Sequence, residues 1–429
     1  MSATSRWRLL PVVVACVALV APAGLSGIAA DGSWGPTMNL SVSEVFTEDA
    51  SLAVDSQGRV HVVWTEGGEL FHRYRLAESW SPAAAVAVGF APCLAAGADD
   101  QVHLAFVNRF SDVDDIYYTS WRAEGGWQLA VNVSEGVDRS SSPALFVATD
   151  GTKAVAWGSR SGESDLIYAA VSGDGVLWAS GPVPQAFGVR PQVALSEGDL
   201  LVAWQGPYDV PGSASEVFVS RQSGQAWTLP VDVSASPEVD SVLASLALAA
   251  ETNYLAWQEN LPGSAAVFVS LESSGVWSVP EKRSAGSPAF APALTVAGDT
   301  GHLTWATGTG VQYASWTVST GSWQPVETAA VDQTAARDAC ITAKEWPHLA
   351  WLAEASPDND DVFYCERVGG ATPTPSATLF PTPSQTLSPT PTATSTVTQT
   401  IAPSATPSPT GTLSPQLLIF LPIIRAHVH

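Results

Sequence analysis

The stretch "DGSWGPTMNLSVS", residues 31–43, follows directly on an apolar leader, yet it reads as the end of something: a turn, a Trp, then a short alternating strand. Its place is set by what recurs downstream. A strand ending in an aromatic appears seven times, as "VHVVW", "VHLAF", "KAVAW", "LLVAW", "NYLAW", "GHLTW" and "PHLAW". These finish at Trp64, Phe106, Trp157, Trp204, Trp257, Trp305 and Trp351, at intervals of 42 to 53 residues. Such a period is the mark of a repeat architecture. Before each aromatic strand lies a short strand of small and apolar residues, as in "SLAVDSQG" and "ALTVAGDT", and after each a loop and a third strand, as in "DIYYTSW" and "EVFVSRQ". A tight turn then leads to a fourth strand marked by Trp80, Trp127, Trp178, Trp227, Trp277 and Trp323. Four strands per unit of this length predict the blade of a β-propeller.

The seventh repeat stops at "DVFYCERVGG" and lacks a Trp strand of its own. The opening stretch, with Trp34, supplies it. The fold predicted is therefore all-β: a seven-bladed β-propeller of four-stranded blades over residues 31–370, its ring closed by the N-terminal strand pairing with the last blade. Closure removes the open edge that an unfinished β-array would present to other chains. Thirteen of the sixteen tryptophans beyond residue 30 fall at the two repeated positions, so most Trp is expected between blades.

Flanking segments predict export and display. Residues 1–30 carry Arg6 and Arg8, an apolar run from Leu9 and small residues at Gly27, Ala29 and Ala30, which reads as a signal peptide. "VVAC" ending at Cys16 also allows a lipoprotein reading. Residues 371–415 contain no charge, and 31 of the 45 are Pro, Ser or Thr. Such a composition cannot bury enough apolar surface to offset its ordering entropy, and predicts a disordered, extended stalk with a reach of at most about 140 Å. Residues 416–429 hold an apolar core from Leu417 to Ile424, too short to span a bilayer, and are expected to tag or anchor the chain at a membrane or cell envelope.

The chain carries a net charge of −23, and −25 beyond residue 30, where 16 basic residues face 41 acidic ones. Nucleic acid is excluded as a partner, because neutralising phosphates needs clustered Lys and Arg. Three cysteines remain beyond the leader, Cys93, Cys340 and Cys365. Their odd number and wide spacing fit buried thiols, with one bridge possible.

The turn between third and fourth strands resembles the BNR, or Asp-box, repeat of sialidase-like propellers. "SRQSGQAW" keeps Ser220, Gly224 and Trp227 at the spacing of that box, "SLESSGVW" keeps Ser270 and Trp277, and "SGDGVLW" has Ser172, Asp174 and Trp178 but is one residue short. The family implies a propeller in which the box is a structural turn away from substrate. Its enzymes imply an arginine trio, a Tyr and Glu pair and an Asp acid/base. Residues 31–50 contain no arginine where the family has its first, and "YRLA" at Tyr74 and Arg75 lacks the proline of the family motif. A non-catalytic binding or adhesion module for glycan or protein ligands, acting as a monomer, is thus the leading expectation, with a divergent sialidase-like glycoside hydrolase as the alternative.

Candidate site residues lie on the rim carrying the loops between second and third strands. Two loops are dense in carboxylates, with Asp112, Asp114 and Asp115 in "VNRFSDVDD" and Asp358, Asp360 and Asp361 in "LAEASPDNDD". Calcium takes six to eight oxygens, so Asp112, Asp114, Asp358 and Asp360 are candidate ligands. Arg109, Arg139, Arg160 and Arg190 reach the same rim and could hold a carboxylate or a sugar. Trp121 and Trp316, outside the repeated Trp positions, are candidates to stack on a sugar ring. His61, His103, His302 and His348 each stand three residues before a strand-2 aromatic, a regularity that predicts blade packing rather than catalysis.

Overall fold

The computed structural model describes residues 32–369, except 78, 111–112, 137, 197, 208–212, 250–251, 287 and 332. The leader, the Pro/Ser/Thr segment and the C-terminal tail lie outside the described residues, as does Asp112. Every described element is a strand, and the strands form seven antiparallel sheets. Each sheet is one blade of a seven-bladed β-propeller.

Blade 1 is built from Thr47–Val54, Val60–Glu66, Glu69–Leu76 and an outer strand split into Ser79–Trp80 and Ala84–Val88. The same order repeats around the ring. Blade 3 alone has a continuous outer strand, Ala179–Phe187; in the other six a short break divides the fourth strand into two pieces. Consecutive innermost strands contact one another from blade to blade, and Arg337–Ala343 of blade 7 returns to Thr47–Val54 of blade 1.

The second strands explain the recurring motif. In "VHVVW" all five residues are buried, because both faces of the blade are covered by neighbouring blades. A strand buried on two sides reads as a continuous apolar run instead of alternating. Trp64, Phe106, Trp157, Trp204, Trp257, Trp305 and Trp351 are all at most 2% exposed, and most stack on an aromatic of the adjacent third strand, as Trp64 does on Phe71 at 6.1 Å. The outer-strand tryptophans are half-buried and reach backward. Trp80 of blade 1 meets Tyr364 of blade 7 edge-on at 5.0 Å, Trp178 of blade 3 meets Tyr118 of blade 2 at 5.1 Å, and Trp34 of blade 7 meets Tyr313 of blade 6 at 5.0 Å. Blades 2, 6 and 7 are thus each clasped by an indole from the next.

Closure follows the expected scheme. Ser33 and Trp34 pair with Val368 and Arg367, and Met38 and Asn39 with Tyr364 and Phe363. The seam between blades 7 and 1 is one continuous apolar cluster that includes Leu40, Leu52, Trp64, Cys340, Leu352 and Tyr364. The opening stretch also reproduces a cap found elsewhere. In blade 2, Asp115 at the head of the third strand accepts hydrogen bonds from Asn132 Nδ2 at 3.0 Å and Ser134 Oγ at 2.7 Å. In blade 7, Asp361 accepts from Asn39 Nδ2 at 2.6 Å and Ser41 Oγ at 2.8 Å. "NLS" at 39–41 is therefore the counterpart of "NVS" at 132–134. Cys93, Cys340 and Cys365 are all buried, and burial pushes the Cys365 thiol up to about 12.

Candidate functional site

Every innermost strand carries a β-bulge near its start, where the chain enters from the rim, and each bulge holds a non-glycine residue at positive φ. The seven equivalents are Asp49, Ala91, Ser142, Arg190, Leu243, Ala291 and Asp338, with register breaks at each. A bulge sharpens the local twist and re-aims its side chain. The result is a ring of side chains at one end of the central channel, small or apolar in four blades and charged in three.

The charged members interact. Burial pushes the Asp338 carboxyl up to about 7, against the opposing pull of Arg337 and Arg190, while Asp49 and Asp360 add to the rise. Asp338 is 8% exposed, and its Oδ2 accepts no hydrogen bond among the described residues, while Arg337 Nε lies 3.8 Å from it. Asp49 accepts a hydrogen bond from the Ala91 amide of blade 2 at 3.0 Å, bracing the next bulge. Asp49 and Asp338 are thus two buried carboxylates on adjacent innermost strands, at the seam where the ring closes. Neither stands out in the sequence, because the bulge position is recognised only once all seven innermost strands are aligned, with Ala or Pro following.

The predicted rim residues are placed as follows. Arg109 sits directly opposite Asp114 on the blade 2 hairpin and binds it through two nitrogens, at 2.7 and 3.1 Å. Arg160 is opposite Asp165 on blade 3 and pairs with it at 3.3 Å, while Arg139 is its backbone neighbour on the other side. Arg190 belongs to the channel ring. Asp360 pairs with Arg337, and Asp358 occupies the turn before Asn359 at positive φ. Asp114 therefore serves a hairpin ion pair in blade 2 and Asp360 an ion pair to the innermost strand of blade 7, and Asp115 and Asp361 serve the outer-strand caps. Among the described residues no three His, Cys, Asp or Glu side chains gather as a metal-ligand set.

Trp121 and Trp316 are corrected from sugar platforms to core. Trp121 packs on His61 at 4.8 Å and Tyr74 at 5.1 Å of the preceding blade, and Trp316 on Tyr254 at 4.9 Å. Both are nearly fully buried. The histidines pack between strands: His103, His302 and His348 each contact a third-strand tyrosine hydroxyl, at 2.6, 2.7 and 2.7 Å. His61 Nδ1 lies 3.1 Å from His72 Nε2, whose Nδ1 accepts from Trp127 Nε1 at 3.2 Å.

One open feature remains that the sequence does not announce. Between blades 4 and 5, on the outer wall, runs a groove of about 910 Å³ lined by Val219, Arg221, Thr228, Asp232, Glu272 and Trp277 among others. The related groove between blades 2 and 3 holds about 430 Å³. One register position where the two differ is on the third strand. Tyr118, opposite Val131, faces the indole of the next blade; Val219, opposite Val231, stands at the same place. Blades 1, 6 and 7 put His72, Tyr313 and Tyr364 there. In blade 5 the site is Val269, but Arg283 lies 4.1 Å over the neighbouring Trp323 ring. In blade 3 it is Ala169, packed in one core cluster with Val183 and Ala186 of the long outer strand.

Comparison with known proteins adds the fold alone. No family model matches the chain, and no curated protein matches its sequence. Among solved structures it is similar to a protein of unknown function from Dyadobacter fermentans, at 13% identity and TM-score 0.50, covering 65% of this chain and 94% of that one. It is also similar to the polysaccharide lyase Uly1, at 10% identity and TM-score 0.50, covering 74% and 89%. A third likeness, to virginiamycin B lyase from Staphylococcus aureus, has 10% identity and TM-score 0.49 over 78% and 99%. The Asp-box resemblance stays one of turn chemistry: Asp174 accepts from the amides of Val176 and Leu177 at 2.8 and 2.9 Å, which occupies the carboxylate within its own hairpin. What these similarities share with the sheets described above is the β-propeller fold.

Proposed function

We propose that this chain is a secreted, surface-displayed binding module for glycan or protein ligands. One observation carries the reading. The rim arginines Arg109 and Arg160 face carboxylates within their own hairpins and the histidines pack between strands, while an open groove with an indole in its wall remains between blades 4 and 5. Pockets of roughly 300 to 1,000 Å³ with aromatic lining and a few polar groups suit small-ligand recognition. The leader and the Pro/Ser/Thr segment support export and presentation away from a surface. The full chain applied to an array of oligosaccharides and to a panel of surface proteins tests this, and saturable binding to a defined ligand is expected. No binding on either would overturn it.

A second reading, a divergent glycoside-active enzyme, is favoured by Asp338 alone. A carboxylic acid that keeps its proton near neutrality beside a second carboxylate is the kind of group that protonates a leaving oxygen. Turnover of a fluorogenic glycoside, abolished in Asp338→Asn, would establish it.

A further inference from the structure

We infer that the groove between blades 4 and 5 is the ligand site, and that it takes a neutral oligosaccharide stacked on Trp277. The inference rests on the binding-module reading and gives that reading a place and a ligand class. The groove exists because the inter-blade clasp is incomplete at this joint. At the joints that follow blades 1, 2, 6 and 7 the outer indole of the next blade meets a bulky third-strand side chain, as Trp80 meets Tyr364 and Trp178 meets Tyr118. Val219, buried itself, is smaller than those tyrosines, and Trp277 is only half-buried beside it, which leaves indole surface in the groove wall. Val231, Val276 and Val279 extend the apolar surface and are all exposed, with Val279 at 87%.

The polar groups decide which ligand fits. Arg221 is the sole cation among the lining residues described, and its guanidinium is held by Glu272 at 2.8 Å and lies 3.9 Å from Asp199. Glu272 is further bound by Asn253 at 2.6 Å. An acidic sugar would bring its carboxylate or sulfate next to Glu272 and Asp232 with no spare guanidinium to receive it, in a chain already at −23. A neutral sugar meets no such repulsion. Its C–H face matches an indole and the valines, and its hydroxyls match the carboxylate of Asp232 and the hydroxyls of Thr228 and Ser278, which pair favourably as donors and acceptors.

The decisive variant is Val219→Tyr. It installs the residue that Tyr118, Tyr313 and Tyr364 supply at the same register, each with an indole packed edge-on, so the ring is expected to fold with an unchanged melting temperature. Full-length wild-type and variant chains are applied to an array of neutral and acidic oligosaccharides, and bound ligands are followed by calorimetry. The expected result is selective binding of neutral glycans by the wild type and a loss of more than about tenfold in Val219→Tyr, the size of a lost stacking contact. Trp277→Phe, which keeps an aromatic, should weaken binding less. Neutral-glycan binding untouched by Val219→Tyr overturns the groove while leaving the module reading intact. Preference for acidic glycans overturns the ligand class. An array with no binding at all sinks this inference, and the protein panel then decides whether the module reading survives.

Discussion

Asn39 and Asp361 are 322 residues apart in sequence and 2.6 Å apart in the molecule, and Asp361 also receives Ser41 Oγ at 2.8 Å and the Ser43 amide at 3.1 Å. One carboxylate thus holds the first strand of the chain to the last. Asp115 makes the matching contacts in blade 2, where the outer strand is covalently continuous with the third. Replacing either Asp by Ala leaves half-buried donors unpaired, at a cost of about 1 kcal/mol, the low end for such groups. Asp361→Ala is expected to lower the melting temperature more than Asp115→Ala, since only the former frees a chain end that can peel away. Equal losses by scanning calorimetry would mean the closure is no weaker than any other blade.

Asp338 sets a pH dependence of one sign. Its folded pKa of about 7 lies above the usual carboxyl value, so the folded state holds a proton that the unfolded chain releases. Stability from this group is full below about pH 4, falls as pH rises, and is gone above about 7. Asp338→Asn keeps the side chain uncharged, and Asn tolerates the positive φ at this bulge. The variant should therefore melt several degrees above wild type at pH 8 and close to it at pH 4. A variant less stable at both values would contradict the placement of this carboxyl.

Acid acts oppositely at His302. Burial holds His302 at about 3, so the unfolded chain takes up a proton as pH falls through 6.5 while the folded chain does not. Burial raises the Glu366 carboxyl, but hydrogen bonds from His348 and Arg75 outweigh it and hold the group at about 2, which adds a loss of stability below about pH 4.5. The slope of melting temperature between pH 6 and 4 should flatten in His302→Gln, which can still bond the Tyr313 hydroxyl. An unchanged slope would show that His302 does not contribute.

Trp316→Ala removes a side chain buried between Tyr254 and Trp323 and should destabilise by about 3 to 5 kcal/mol without changing ligand affinity in the fraction that folds. Reduced affinity with unchanged stability would restore it as a ligand contact.

The ring was legible because its determinants are local and repeated. A strand buried on both faces must read as "VHVVW" wherever it recurs, and a missing seventh Trp strand has one place to come from. Trp121 and Trp316 were misplaced because an indole off the repeat looks the same whether it faces solvent or the preceding blade; the cross-strand pairing of Trp121 with Trp127, and of Trp316 with Trp323, puts both inside. Arg109 and Asp114 look available to a ligand in the sequence, because the hairpin register that pairs them is not visible in a loop where they stand five residues apart. The groove depends on a contrast between Val219 and Tyr118 across blades, and Asp338 on a bulge that shifts register by one. Both need the exact pairing of strands, which single-chain periodicity does not supply.

Closure of the ring by the opening stretch underlies every placement above, and a cross-link tests it most directly. Ser33 and Val368 are paired within blade 7, between the opening strand and the last one, with both side chains exposed, so Ser33→Cys, Val368→Cys is positioned to form a disulfide in the full chain. Mass spectrometry after oxidation and thiol capping should show the two cysteines joined within one monomer, with the melting temperature maintained or raised. Two free thiols, or a bond found only between chains, would contradict the closed seven-bladed ring.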